Sequence, residues 1–266
     1  MDNNLLMRPQ VVAHRGASHE IAEHTLAAYV AALDAGADAL ECDVRLTMDG
    51  HLVCVHDRHL RRIGARGLVS EMTLAELQAI DFAAWKNGFW EGEDEPPDRD
   101  MRGVLTLHRL LRVVRDYGRH VEMAIETKHP TRYGGLTEGR LVDVLNDFGW
   151  AGPGSPVRVM SFSFTALQRV SRLAPDLPLV MLIEKAHHWP MLRRVIDDDW
   201  IVGPGIVELR DHPGLGRRLV ESKRRIHVWT VNTQEELELC RSLGVEAVIS
   251  DRPEHMIDLL GRKDAG

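Results

Sequence analysis

Cysteine is scarce in this sequence, and its few residues are widely spaced. Cys42, Cys54 and Cys240 are the only three among 266 residues, and they lack the spacing of a metal-binding set. An odd number of cysteines without a disulfide framework is typical of a protein in a reducing compartment. A disulfide-stabilised secreted scaffold and a cysteine-ligated zinc domain are therefore both disfavoured.

Long apolar runs and an excess of basic charge are also missing. No stretch approaches the ~20 apolar residues of a membrane span, and the amino terminus lacks the apolar core of a signal peptide. Lys and Arg total 33 against 40 Asp and Glu, which gives a net charge of −7 at pH 7. We therefore expect a cytoplasmic protein without stable membrane insertion, and no nucleic-acid partner, which would require a basic face.

What the sequence does contain is a regular alternation of strand-like and helix-like segments. Its length and its 44% hydrophobic content suit one α/β barrel. We predict a single domain over residues 11–262 with the (β/α)8 fold, the TIM barrel. An open doubly wound sheet is the alternative, but no glycine-rich nucleotide turn follows the first strand. Strands are predicted at 11–13, 39–44, 52–55, 121–126, 157–160, 179–183, 201–207, 226–231 and 247–250, and helices at 25–35, 73–80, 107–116, 136–148, 165–173, 191–197, 214–222, 233–243 and from 253 onward.

An irregular stretch at about residues 81–103 interrupts this alternation. It contains Trp85, Phe89 and Trp90 together with an acidic, proline-containing run. A long irregular segment in a compact domain is usually a lid, a subdomain or a disordered excursion, and the tryptophans favour a small packed insertion. We predict that its aromatic residues form its own core, with an apolar rim for a membrane substrate as the alternative.

Two acids, Glu41 and Asp43, occur in a strand that is otherwise apolar. Residues two apart on a strand share a face, so both side chains project into the barrel if Leu40 and Cys42 pack outward. Carboxylates about 4 Å apart repel by roughly 4 kcal/mol at an effective dielectric of about 20, and a bound cation or one proton relieves that repulsion. An isolated Glu-x-Asp pair is more often just a solvated strand end.

Chemically capable groups also lie at other predicted strand ends, where (β/α)8 barrels form their active sites. A single histidine or lysine is usually structural or solvated, but their coincidence at one face of the barrel indicates a site. The groups are His14-Arg15, His56, Glu126-x-Lys128, Trp229–Asn232 and Ser250–Arg252.

Assembled, these residues combine a cation site with an anion site. Glu41, Asp43 and Glu126 offer only oxygen ligands, which suit Mg²⁺ or Ca²⁺ rather than zinc. Arg15 and Lys128 beside such a cation suit an anion, most commonly phosphate. The two histidines supply an acid and a base near neutral pH. The residues by themselves therefore predict metal-assisted cleavage of a phosphate ester.

The ordered set of motifs resembles the glycerophosphodiester phosphodiesterases over nearly the whole chain. Besides the strand-end groups above, His56-Asp57, Ser250–Pro253 and Val69–Leu77 take part in the resemblance. It implies a catalytic (β/α)8 barrel with an insertion after the His-Asp motif, which hydrolyses glycerophosphodiesters to glycerol 3-phosphate and an alcohol. The implied roles are metal binding for Glu41, Asp43 and Glu126, acid–base catalysis for His14 and His56, and substrate binding for Arg15, Lys128 and Trp229.

Two positions depart from the family pattern. Glu23-His24-Thr25 stands where the family usually has Glu-Asn-Thr, and Leu105–Arg109 has His108 in place of an acid. We expect His24 either to be tolerated at a helix start or to change the geometry beside the first catalytic histidine.

Three other functions compete with this interpretation. A related phosphodiesterase acting on lysophospholipids is the nearest. A non-catalytic phosphate binder would be expected to lack a metal ligand or a histidine, and none is missing here. A zinc amidohydrolase on the same fold would need a His-x-His pair on its first strand, whereas this strand ends in His14-Arg15-Gly16.

Overall fold

The computed structural model describes residues 8–87 and 99–262. No helix within these ranges is long and apolar enough to cross a membrane. The strands are β1 (Gln10–His14), β2 (Ala39–Leu46), β3 (Leu52–Cys54), β4 (Glu122–Thr127), β5 (Val157–Ser161), β6 (Leu179–Ile183), β7 (Ile201–Pro204), β8 (His227–Trp229) and β9 (Ala247–Ser250). The α-helices are α1 (Leu26–Asp34), α2 (Leu74–Gln78), α3 (Ala84–Asn87), α4 (Arg99–Arg102), α5 (Leu107–Asp116), α6 (Leu136–Asp147), α7 (Phe164–Leu173), α8 (Trp189–Leu192), α9 (Ile206–Asp211), α10 (Pro213–Glu221), α11 (Gln234–Ser242) and α12 (Pro253–Leu259).

Eight of these strands run parallel and form a nearly closed barrel. Their order around the sheet is β7-β6-β5-β4-β2-β1-β9-β8. Single bridges from Val202 to Ile226 and from Gly205 to Trp229 bring β7 next to β8 and almost complete the ring. The remaining strand, β3, pairs antiparallel with β2 outside the ring. The predicted (β/α)8 architecture is confirmed.

The side chains of β2 show how the sequence builds both faces of the barrel. Leu40, Cys42 and Val44 are fully buried in the core cluster that includes apolar residues of the surrounding helices. Glu41 and Asp43 alternate with them and therefore point into the barrel, as the two-residue repeat of a strand predicts. Below them the interior is filled by apolar side chains: Val12, Ala39, Ala124, Met160, Val180, Leu182, Ile201, Ala247 and Ile249.

Two predicted elements are wrong in their extent. The helix expected at 191–197 is the short α8, which begins at buried Trp189 because Pro190 fits the first turn of a helix. The strand expected at 201–207 stops at Pro204, since proline cannot donate to a strand ladder. Val207 lies instead in α9, where it is half exposed.

The predicted insertion at 81–103 falls partly outside the described residues, and Phe89 and Trp90 are among those not described. Within it, the Trp85 side chain is 36% exposed, and its ring centroid lies 4.4 Å from the guanidinium carbon of Arg62. A separate apolar cluster lies beside this stretch and includes Phe82 at its start. The cluster consists of Val53, Val55, Leu60, Val69, Leu77 and Phe82.

The turn after β1 depends on Gly16, and this dependence gives a stability prediction. Gly16 has a φ of +86°, and an added Cβ would lie 2.5 Å from the carbonyl carbon of Ala28 in α1. We expect Gly16→Ala to lower the free energy of unfolding by about 3 kcal/mol, from left-handed backbone strain and overpacking together. Urea denaturation measures the loss.

A second glycine separates these two costs. Gly36 has a φ of +88°, but the nearest atom to an added Cβ is 4.0 Å away, on Ile257. Gly36→Ala should therefore cost only the backbone strain, about 1–2 kcal/mol. Equal losses in the two variants would contradict a role for the close approach of Gly16 to α1.

Candidate active site

The carboxyl ends of β1, β2 and β4 bring three buried acids together. Strand register places Glu41 beside His14 of β1 and Asp43 beside Glu126 of β4. One oxygen from each of Glu41, Asp43 and Glu126, here called the acidic trio, lies within 4.8 Å of the others. All three side chains are buried, as the sequence pattern predicts.

Burial disfavours simultaneous ionisation of all three carboxyl groups of the acidic trio. Burial, followed by repulsion from Asp43, raises the pKa of Glu41 well above its usual range and that of Glu126 to about 8. Burial also opposes ionisation of Asp43, but the charge of Arg15 and the hydrogen bond from His24 outweigh it and lower the pKa well below its usual range. A divalent cation among the three would let all of them ionise together.

The donor atoms themselves fit such a cation. Asp43 Oδ1 is buried and has no hydrogen-bond partner among the described residues, although Lys128 Nζ lies 3.3 Å away as an ion pair. Coordination to a cation would give this oxygen a further partner. Because the trio offers only carboxylate oxygens, it suits a hard divalent cation rather than zinc.

Two cations, Arg15 and Lys128, border the acidic trio. Arg15 Nε lies 2.9 Å from Asp43 Oδ2, and its backbone N–H donates to Glu41 Oε2 at 3.1 Å. Glu23 holds the other end of the guanidinium at 3.2 Å. Lys128 Nζ lies 2.8 Å from Glu126 Oε1. The structure thus places both cations predicted to bind phosphate at the edge of the trio.

His14 has one nitrogen on a carboxylate and the other facing the acidic trio. Its Nδ1 lies 2.6 Å from Asp251 Oδ1, and its Nε2 lies 4.0 Å from Glu41 Oε2. Burial would raise the pKa of Asp251, but hydrogen bonds from His14, Asn232 and Ser18 lower it well below its usual range. An ionised Asp251 can accept a hydrogen bond from Nδ1–H of His14, which leaves Nε2 facing the site.

The pairing of Asp251 with His14 is a contact that the motifs did not predict. The sequence marks Asp251 and Asn232 as strand-end residues but gives them no role. Asn232 Nδ2 donates to Asp251 Oδ2 at 2.8 Å, and β9 lies directly beside β1 in the sheet. The available signal was barrel closure, because closure makes the last strand a neighbour of the first.

His56 has a similar arrangement on a more open side of the site. Its Nδ1 lies 2.8 Å from Asp57 Oδ1, which leaves Nε2 as the nitrogen available to a ligand. Burial lowers the pKa of His56. The His56 side chain is 33% exposed, against 17% for that of His14. The two histidines therefore differ in their access to solvent.

His24, the first departure from the family pattern, contacts the site directly. Its Nε2 lies 3.0 Å from Asp43 Oδ2, and its Nδ1 lies 2.9 Å from the hydroxyl of Tyr29. The Tyr29 hydroxyl in turn donates to the backbone carbonyl of Glu41 at 3.2 Å. His24 therefore positions Asp43. The second departure, His108, is exposed on α5 and packs edge-on against Phe148.

Trp229 belongs to an aromatic wall above β5 and β8. Its Nε1 donates to the Gly203 carbonyl at 2.8 Å. Its ring meets Phe162 edge-on, with centroids 5.5 Å apart, and Lys128 Nζ lies 5.9 Å from the Phe162 centroid. The wall therefore approaches the cationic edge of the site from the β5 side.

Comparisons of the sequence with known proteins point to one family. The model of the glycerophosphoryl diester phosphodiesterase family matches residues 14–255. A protein of Mycobacterium tuberculosis named "Probable glycerophosphodiester phosphodiesterase 1" is 43% identical over 95% of this chain and 92% of its own length. The glycerophosphodiester phosphodiesterase of Bacillus subtilis is 31% identical over 94% of this chain and 87% of its own length.

Solved structures show the same fold. A phosphodiesterase from Oleispira antarctica, solved in complex with the product sn-glycerol-3-phosphate, superimposes with a TM-score of 0.77 at 24% identity, covering 95% of this chain and 97% of that one. The glycerophosphodiester phosphodiesterase of Agrobacterium tumefaciens gives a TM-score of 0.72 at 23% identity, covering 94% and 99%. At these identities the likeness concerns the barrel rather than the details of the site.

Proposed function

Because the chain belongs to the glycerophosphoryl diester phosphodiesterase family, we propose that it hydrolyses glycerophosphodiesters to glycerol 3-phosphate and an alcohol. The observation that carries this function is the acidic trio, buried and with one oxygen from each acid within 4.8 Å of the others, next to His14, whose Nδ1 is held by Asp251 and whose Nε2 lies 4.0 Å from Glu41. An enzyme of this kind is a phosphoric diester hydrolase. Its catalytic unit is the single barrel of residues 11–262.

The acidic trio is the proposed site for Mg²⁺ or Ca²⁺. When bound, the cation would supply positive charge that offsets the charge on the phosphoryl oxygens. The support from this chain is the oxygen-only donor set and Oδ1 of buried Asp43, which accepts no hydrogen bond among the described residues and lies 3.3 Å from Lys128 Nζ. Such a cation would also relieve the repulsion that raises the pKa values of Glu41 and Glu126.

Arg15 and Lys128 are the proposed phosphate ligands. Both already border the acidic trio, so a phosphate that bridges them would lie against its carboxyl edge. The guanidinium and ammonium groups donate to phosphoryl oxygens and offset the charge that grows there during attack. Trp229 would contact the organic part of the substrate beside them.

His14 and His56 are the proposed acid–base pair. One Nε2 accepts the proton of the attacking water or of the neighbouring glycerol hydroxyl. The other Nε2 donates a proton to the departing alkoxide, so that the alcohol leaves neutral. Asp251 and Asp57 hold Nδ1 of their respective histidines and so keep each ring in place for this transfer.

The test is release of choline from glycerophosphocholine and from lysophosphatidylcholine, with Mg²⁺, with Ca²⁺ and with EDTA; the phosphate product is glycerol 3-phosphate from the first substrate and lysophosphatidic acid from the second. We expect release from glycerophosphocholine that requires a cation and disappears on chelation. Faster turnover of lysophosphatidylcholine would make the chain a lipid phosphodiesterase instead. Tight binding of glycerol 3-phosphate without turnover of either substrate would make it a phosphate binder.

We further propose that the protein works in the cytoplasm on small molecules. Cys42, Cys54 and Cys240 are free thiols and are buried, as expected for a protein in a reducing compartment. The net charge of −7 makes nucleic acid an unfavourable partner.

A further inference from the structure

A cationic cleft opens beside the proposed phosphate site. It has a volume of about 350 Å³, and its charged lining consists of Arg45, Arg58, Arg132 and Lys128 with one acid, Glu71. We call it the arginine cleft. Its volume lies within the range of about 300–1,000 Å³ that is usual for small-molecule sites. Its walls are the end of β2, the loop that follows His56, and the loop that follows β4.

Two of the four cations that line the arginine cleft have no acidic partner among the described residues. Within residues 8–87 and 99–262, neither Arg45 nor Arg58 has a carboxylate within ion-pair distance. Arg45 Nε donates to a backbone carbonyl, and Arg58 Nε donates to the His59 ring. The other two cations are paired: Arg132 lies 3.2 Å from Glu71, and Lys128 lies 2.8 Å from Glu126. Unpaired guanidinium groups gathered in one cleft of a chain with a net charge of −7 indicate an anionic ligand.

The arginine cleft is continuous with the proposed active site. Lys128 belongs to both, because it lines the cleft and lies 2.8 Å from Glu126. Arg45 follows Asp43 by two residues on β2, and its Nε donates to the backbone carbonyl of His56 at 2.8 Å. A substrate whose phosphate sits on Lys128 would therefore have one of its two arms beside the cleft.

The other flank of Lys128 has a different character. Phe162, which follows β5 next to β4, and Trp229 of β8 form the aromatic wall, and the Phe162 ring centroid lies 5.9 Å from Lys128 Nζ. Uncharged glycerol, with its carbon backbone and hydroxyls, suits such a wall. The remaining arm, the alcohol, then extends towards Lys128 and the arginines.

If the chain hydrolyses glycerophosphodiesters as proposed above, its arginine cleft can act on the choice of alcohol. We propose that the arginine cleft selects glycerophosphodiesters whose alcohol bears a further anionic group, a carboxylate or a phosphate. Arg58 and Arg132 are the specificity-determining residues, because both are exposed in the cleft and both can bind such a group through two N–H donors. A cationic alcohol such as choline would meet repulsion instead. Selection acts on the alcohol and leaves the proposed hydrolytic step unchanged.

The experiment compares glycerophosphoserine with glycerophosphoethanolamine, which differ only by one carboxylate. We expect kcat/KM to be at least about tenfold higher for glycerophosphoserine, the usual scale of one charge-assisted contact. Arg58→Ala and Arg132→Ala should lower this preference several-fold, through a lower kcat/KM for glycerophosphoserine, while kcat/KM for glycerophosphoethanolamine does not fall, because its ammonium group loses a repulsive neighbour. Arg58→Lys should keep part of the preference.

The matched control is Arg217→Ala, which removes an equally exposed arginine from α10 in the outer helix layer. It should leave the ratio of the two substrates unaltered. Equal kcat/KM values for the two substrates would overturn the proposal, as would a preference that survives both cleft variants. Failure to hydrolyse either substrate under any cation would instead overturn the proposed function, and this inference with it.

Discussion

Glu126→Gln is expected to weaken binding of the divalent cation at least about 100-fold. Losing a residue that merely hydrogen-bonds to a metal ligand already lowers metal affinity by about 10–100-fold. Glutamine keeps the size of Glu126 and can still accept from Lys128 Nζ, which lies 2.8 Å from Oε1. It removes one of the three charges gathered within 4.8 Å. The variant should therefore fold normally but bind the cation only weakly. The rate of hydrolysis should fall in parallel with this loss of cation binding.

Thermal unfolding with and without the cation measures this effect separately from catalysis. At about 100 times its dissociation constant, a cation stabilises the folded protein by about 2.7 kcal/mol. At the same concentration a site weakened about 100-fold gains only about 0.4 kcal/mol. The control is Glu235→Gln, which neutralises an exposed glutamate on α11. This variant should keep the full stabilisation by the cation. An unchanged gain in Glu126→Gln would remove Glu126 from the proposed cation site.

His14→Ala and His56→Ala are each expected to lower kcat for glycerophosphocholine by about 10²–10⁴-fold, the usual contribution of general acid–base catalysis. Each substitution removes an Nε2 whose ring is held by a carboxylate through Nδ1. Cation-induced stabilisation should persist in both variants, since neither histidine belongs to the acidic trio. His108→Ala, on the outer surface of α5, should leave kcat unchanged.

An activated substrate identifies the histidine that acts as the acid. A glycerophosphodiester of p-nitrophenol has a leaving group that departs without protonation. The variant lacking the acid should therefore regain most of its activity on this substrate, whereas the variant lacking the base should remain impaired. Recovery in both variants, or in neither, would contradict a division of labour between His14 and His56.

The meeting of the three acids could be predicted from sequence because it depends on local periodicity. Glu41 and Asp43 share a face through the two-residue repeat of β2, and Glu126 and Lys128 do so at the end of β4. Parallel pairing then brings neighbouring strand ends to one edge. These steps require only that the segments be strands of one barrel, which the alternation of the chain predicts.

Contacts that depend on closure and loops were not predictable in the same way. Asp251 reaches His14 across 237 positions of sequence, and only closure of the ring makes them neighbours. His24 could be flagged as unusual, but its contact with Asp43 requires the turn after β1, where Arg15 and His24 both have positive φ. The arginine cleft likewise needs two loops to meet at Lys128.

The measurement closest to the central claim is ³¹P NMR of glycerophosphocholine incubated with the protein and Mg²⁺ or Ca²⁺. We predict that the diester resonance is replaced by that of glycerol 3-phosphate, and that EDTA or Glu126→Gln prevents the change. The appearance of phosphocholine would show cleavage on the other side of phosphorus. That result, or an unchanged diester with every cation, would contradict the account.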